Sequence, residues 1–151
     1  MIVTCIENVC NSSVLLLPIH ADEPLNDDNF VVVMGYSVNN QTMEYSLKKG
    51  MDYTVYGILC YAGEIRFLVQ DENGWPFFCP ECLFVVKDHQ AYWEWSVSTF
   101  TIAGKSLLIM GYPEIKSKEN YSNLIDLIKK NDVGIRGFLE YKDYYEKYSL
   151  D

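Results

Sequence analysis

Cys79-Pro80-Glu81-Cys82 is the stretch of this chain whose residue types and spacing most resemble chemistry. Two cysteines at this spacing let two sulfurs converge on one atom, so the motif reads as half of a zinc site or as a thiol–disulfide couple. A structural zinc needs four ligands, and the remaining candidates are Cys5, Cys10 and His89. Without a second C-x-x-C or a histidine pair, Cys79 and Cys82 remain a weak alternative for metal, and no cofactor is assigned. Thiol exchange asks for a helix behind the motif, whereas the apolar Leu83-Phe84-Val85-Val86 follows. His20 and His89 sit far apart in polar turn sequences, with no nucleophile tied to either. Ser12 and Ser13 lack a nucleophile-elbow context, and Gly57, Gly63 and Gly74 are spread over strands and turns rather than gathered into a phosphate loop. The sequence therefore predicts no catalytic residues and a protein that is not an enzyme.

The element that must position anything else is the stretch Tyr53 to Asp88, three short apolar runs separated by Ala62-Gly63-Glu64 and Asp71-Glu72-Asn73-Gly74. Runs rich in Tyr, Val, Ile and Phe between Gly-containing turns predict a tightly coiled antiparallel meander. Within it, alternation over Tyr53 to Tyr61 sets Tyr53, Val55, Leu59 and Tyr61 against Thr54, Tyr56, Ile58 and Cys60, with a bend at Gly57. Arg66, Leu68 and Gln70 face opposite Ile65, Phe67 and Val69, and Pro76 predicts an edge or strongly bent strand. Upstream, residues 1 to 7 predict a first strand and Val14 to Ile19 an apolar run stopped by Pro18. An acidic loop follows from Ala21 to Asn29, and a hairpin runs from Phe30–Val38 to Thr42–Leu47. Downstream, Ala91 to Ile102 and Ser106 to Tyr112 predict a second hairpin turning at Ala103-Gly104-Lys105. Ser117 is a candidate cap for a helix with Tyr121, Leu124, Ile125 and Ile128 in one stripe. Asn131-Asp132 ends it and caps a last helix carrying Ile135, Phe138, Leu139 and Tyr145 on one side, weakened by Gly134 and Gly137.

The whole is expected to be one α+β domain over residues 1–151, a strongly bent antiparallel small β-barrel or curved sheet with two C-terminal helices. Residues 1–8 and 46–88 form the barrel, 9–45 an insertion with a hairpin, 91–112 the second hairpin and 113–151 the helical extension. At 151 residues the chain is long enough to bury a core without disulfides or metals. Five cysteines, an odd number at uneven spacing, argue against a disulfide framework. The opening MIVTCIENVC is a poor signal peptide, and no apolar run approaches the ~20 residues of a membrane span, so a cytoplasmic protein is expected.

Charge narrows the partner. With 21 acidic against 12 basic side chains the net charge is −9, which disfavours phosphate backbones and favours a basic protein partner. Large rings cluster at Trp75, Phe77, Phe78, Tyr92, Trp93 and Trp95, beside Asp71, Glu72, Glu81, Asp88 and Glu94. Stacking platforms for single strands come with basic grooves, whereas rings beside carboxylates suit an interface aimed at Arg and Lys. The candidate partner-binding residues are Asp22, Glu23, Asp27 and Asp28 in the acidic loop, with Asp71, Glu72, Trp75, Trp93 and Glu94 around the rings.

Several segments carry a family resemblance. Cys5-Ile6-Glu7-Asn8, Ser46 to Val55 (SLKKGMDYTV), Asp71-Glu72-Asn73-Gly74 and Leu83-Phe84-Val85-Val86 together resemble small-barrel domains of the Src-homology-3-like type found in bacterial and phage proteins. Cys79 to Phe84 falls on that family's Y-P-x-x-L-F, where cysteine is not expected. Ile109 to Ile115 (IMGYPEI), followed by Tyr121 and the last helices, is similar to an extension seen on such barrels. Small acidic barrel-plus-helix proteins of this build look like immunity proteins of contact-dependent inhibition and related polymorphic toxin systems. The resemblance implies a single task, to bind a cognate toxin domain, often a basic nuclease, and to block its active or substrate-binding surface. The alternative is a small-barrel module for peptide or nucleic acid, phage-related in origin.

Overall fold

The computed structural model describes residues 1–11, 15–18, 30–39, 42–90, 95–102, 104–112 and 121–148. Strand β1 (Ile2–Cys5) is followed by the short pieces β2 (Val9–Cys10), β3 (Leu15–Pro18), β4 (Phe30–Val33), β5 (Tyr36–Ser37) and β6 (Met43–Glu44). The central run supplies β7 (Asp52–Thr54), β8 (Gly57–Tyr61), β9 (Glu64–Gln70), β10 (Pro76–Pro80), a 3-10 turn at Glu81–Leu83, and β11 (Phe84–Asp88). A hairpin, β12 (Ser96–Ile102) and β13 (Lys105–Gly111), precedes the helices α1 (Ser122–Lys129) and α2 (Asp132–Tyr148). The architecture is α+β with antiparallel pairing in every sheet. No described helix is long and apolar enough to cross a membrane.

The expected meander is β8–β9–β10, the core of a five-stranded sheet ordered β10-β9-β8-β13-β12. Its first turn places both Ala62 (φ 54°) and Gly63 (φ 79°) in left-handed backbone, whose twist matches that of the flanking strands. Tyr53 to Tyr61, read from sequence as one strand, is two. Strand β7 pairs with β1, Val55–Tyr56 turns a corner, and β8 pairs with β9. The corner also resets the alternation, because Tyr53 and Val55 share a core with Ile58 while Tyr56 joins Leu59 and Tyr61 in the other. Both faces of β8 are apolar because it separates two cores.

A second corner lies at the 3-10 turn, through which β10 passes into β11, and β11 returns to pair with β1. The sheets β11-β1-β7 and β10-β9-β8-β13-β12 are thus joined at two bends, and among the described residues they close no hydrogen-bonded barrel. Pro76 and Pro80 sit on β10, an edge strand, where a missing N–H costs least. The first core holds Leu17, Leu59, Leu68, Ile109, Tyr121, Leu124 and Phe138, and the second holds Val3, Tyr45, Val55, Val69, Cys79 and Leu83. Fully burying one such Leu, Ile or Val contributes about 1.5–3 kcal/mol, so these rows outweigh any surface pair.

The Phe30–Leu47 hairpin expected from sequence divides at Met34–Gly35. Strand β4 pairs with β3 and feeds Val31 and Val33 into the first core, whereas β5 pairs with β6 and Met43 enters the second. Two apolar destinations, rather than one turn, decide that segment. The helices differ from expectation in smaller ways. Helix α1 starts at Ser122 with Tyr121 at its N-cap and no side-chain cap bond, and Ser117 lies outside the described residues. The Tyr121 hydroxyl donates to the Pro18 carbonyl at 2.7 Å, anchoring the helix to β3. Asn131 does cap α2, its Oδ1 accepting from the Gly134 N–H at 2.9 Å and its Nδ2 donating to Asp126 Oδ1 at 2.8 Å. The buried face of α2 carries Phe138 and Tyr141, while Leu139 is turned outward. Ring packing selects that face: Tyr56 meets Phe138 edge-on at 5.2 Å and Tyr112 stacks on Tyr141 at 4.5 Å.

Candidate functional site

The turn Asp71–Gly74 and the edge strand after it deliver Trp75 to the surface beside helix α2. Asp71 holds the turn together. Its Oδ1 accepts from the N–H groups of Asn73 and Trp75, both at 2.9 Å, and its own N–H donates to the Trp75 carbonyl at 2.8 Å. This Asx-type brace explains why an aspartate stands there and corrects the expectation of a surface contact, since Asp71 is only 6% exposed. Its second oxygen, Oδ2, is buried without a hydrogen-bond partner. Burial pushes the Asp71 carboxyl above the usual range, against the pull of the two amides and of Lys130. Glu72 does remain exposed, and the Tyr53 hydroxyl donates to its Oε1.

Trp75 is 44% exposed and forms one wall of a groove of about 480 Å³ whose other wall is α2. Ile135 and Leu139 line it one helical turn apart and give it an apolar floor. Asp132, Glu140 and Asp143 supply carboxylates along the same groove, with Arg136 between them and Lys130 at the end nearest the sheet. Lys130 closes α1 in left-handed backbone (φ 55°), which turns its side chain back toward β10. Its ammonium lies 3.9 Å from the centroid of the Phe77 ring. Desolvation lowers the Lys130 pKa, and the Asp71 and Cys79 side chains oppose that shift. A lysine held over a ring is less available to a partner, so the carboxylates dominate what the groove presents.

No family model matches the chain, and no curated protein or solved structure matches it either.

Asp22, Glu23, Asp27, Asp28, Trp93 and Glu94 all lie outside the described residues. Cys79 and Cys82 do not converge: Cys79 is fully buried on β10, its Sγ donating to the Phe77 carbonyl at 3.9 Å, whereas Cys82 is exposed on the 3-10 turn. Among the described residues no three His, Cys, Asp or Glu side chains gather as a metal site. Burial raises the Cys79 thiol far above the ordinary range, which removes it as a thiolate ligand or nucleophile.

Sequence reasoning missed the α2 wall. The signal was present in D-V-G-I-R-G-F-L-E-Y-K-D, where Asp132, Arg136 and Glu140 repeat every fourth residue beside Ile135, Leu139 and Asp143. An apolar column flanked by charges of both signs is also what a solvent-facing helix looks like, so only the position of Trp75 distinguishes the two.

Proposed function

We propose that this chain is an immunity protein, a non-catalytic cytoplasmic binder that neutralises a cognate bacterial toxin domain, a basic nuclease in the simplest case, by covering its active or substrate-binding surface. In this reading the two bent sheets are the walls of an open small barrel of the Src-homology-3-like type, with the helical extension providing half of the contact surface. The observation that carries the reading is the groove between Trp75 and α2. An exposed indole over an apolar floor is the composition of an interface anchor, and the surrounding Asp132, Glu140 and Asp143 suit Arg and Lys on the partner. The net charge of −9 extends the same preference to the encounter step.

This reading expects a toxin gene directly upstream, and co-expression with the toxin domain encoded there tests the proposal. Survival of the host and co-purification of the pair are expected, with Trp75→Ala weakening the complex by 10-fold or more, as for a buried aromatic anchor. The double reversal Glu140→Lys and Asp143→Lys should slow association and flatten its salt dependence. Folded variants that bind and protect as well as the parent would rule the groove out, and failure of the parent to protect would rule out the function.

A further inference from the structure

We infer that Cys10 and Cys82 form an oxidisable thiol pair, a disulfide site joining the insertion to the seam between the two bent sheets. Strand β2 carries Cys10 opposite Met43 of β6, and the 3-10 turn carrying Cys82 packs against β2. The chain leading into β2 is tied to the same turn, the N–H groups of Ile6 and Glu7 donating to the Leu83 carbonyl at 2.9 and 3.3 Å, and Cys10 acts directly on the Cys82 thiol. Cys10 is half-buried with its side chain against the second core, whereas Cys82 is exposed to solvent, so one sulfur is held in place and the other is open to an oxidant. The other cysteines are less suited. Cys5 and Cys79 are buried, with their sulfurs donating to the carbonyls of Glu7 at 3.2 Å and Phe77 at 3.9 Å. The C-x-x-C partner of Cys82 is therefore the wrong one, and the right one lies roughly 70 residues away in sequence.

The step needs a two-electron oxidant, and hydrogen peroxide suffices. The Cys82 thiolate attacks one peroxide oxygen, an S–O bond forms, the O–O bond breaks, and the departing hydroxide takes a proton to leave as water. Cys10 sulfur then attacks the Cys82 sulfenic acid, the S–S bond forms, the S–O bond breaks, and a second water leaves. Two thiols have lost two electrons and two protons, and one peroxide has become two waters. A small dithiol reverses the change by exchange. Burial and the neighbouring Cys10 thiol both raise the Cys82 pKa, so oxidation should accelerate as pH rises from 7 toward 9.

The test is to treat the reduced full-length protein with hydrogen peroxide, count free thiols and map non-reduced peptides by mass spectrometry. Five thiols should fall to three, with one linked peptide pair containing Cys10 and Cys82. Closing a loop of this length should raise Tm by roughly 5–10 °C, reversed by dithiothreitol. Cys82→Ser, at an exposed position, should abolish both changes, and Cys60→Ser should leave them intact. A mapped Cys79–Cys82 bridge, a dimer linked through Cys82 as the sole product, or retention of five thiols would overturn the inference.

Discussion

Gly134, in the first turn of α2, lies so close to the carbonyl of Asp126 in α1 that a β-carbon there would sit 2.3 Å from its oxygen and 2.7 Å from the Leu127 nitrogen. The second glycine of the same helix, Gly137, has nothing within 4 Å of the corresponding position. Intrinsic propensity treats both as liabilities of about 1 kcal/mol relative to Ala. Packing separates them. Gly137→Ala should stabilise by up to about 1 kcal/mol, whereas Gly134→Ala should destabilise by about 1–3 kcal/mol, because backbone must move to admit the methyl group. Urea denaturation of the two variants checks this, and equal effects would show that the helix junction relaxes freely.

Asp71 predicts a pH effect of definite sign. Its folded pKa is raised above the unfolded value near 3.8, so between the two the native state binds more protons than the unfolded state. The carboxyl therefore weakens the fold progressively as pH rises from about 3.8 through the folded pKa, and at lower pH the penalty vanishes. Asp71→Asn keeps an acceptor for the amides of Asn73 and Trp75 but never ionises. Its Tm should exceed that of the parent at pH 7, with the difference shrinking to near zero as pH falls below 4. A difference that is constant with pH, or negative at pH 7, would show that attraction to Lys130 outweighs burial.

The meander and its turns were legible in the sequence because period-two runs and Gly-containing turns are local signals. So was the capping role of Asn131. The corners were not, because Val55–Tyr56 and the 3-10 turn keep an apolar pattern while the chain changes sheets, and only the second core reveals the reset of Tyr53, Val55 and Ile58 to one side. Asp71 shows the same limit at the site. An acidic residue in a turn reads equally well as surface charge or as an Asx brace, and the accounting of the Asn73 and Trp75 amides decides between them. The sequence offered Cys5, Cys10 and Cys79 alike as neighbours of Cys82, and the C-x-x-C spacing pointed to Cys79; only the packing of β2 on the 3-10 turn singles out Cys10.

The turn between β8 and β9 gives a prediction free of packing terms. Ala62 is exposed and holds φ at 54°, a region that costs a non-glycine residue about 1 kcal/mol or more and that asparagine tolerates better. With Gly63 already in place, Ala62→Asn creates the Asn-Gly pair favoured in two-residue hairpins. A gain of roughly 0.5–1 kcal/mol is expected in chemical denaturation, with an unchanged m-value. Loss of stability would mean that the turn differs from the one described.

Arg66 carries the most consequential charge in the interior. On β9 its side chain is fully buried, with Nη2 and Nε donating to Glu64 Oε2 at 2.9 and 3.2 Å and Nη1 donating to the Tyr45 hydroxyl at 3.2 Å. The sequence placed it with Leu68 and Gln70 on one face, and the fold buries that face because β9 lies between two strands with the cores on either side. Glu64 retains a quarter of its side-chain exposure, so the pair is partly screened. Glu64→Gln should cost about 2–3 kcal/mol, less than the 3–5 kcal/mol of a fully buried pair, because it takes the Glu64 charge away from a guanidinium in the interior. Arg66→Met removes the charge that needed balancing. In the double variant Glu64→Gln with Arg66→Met, the glutamate change should therefore cost less than it does alone, by 1 kcal/mol or more. Additivity of the two losses in a double-mutant cycle would show that Glu64 does not act through Arg66.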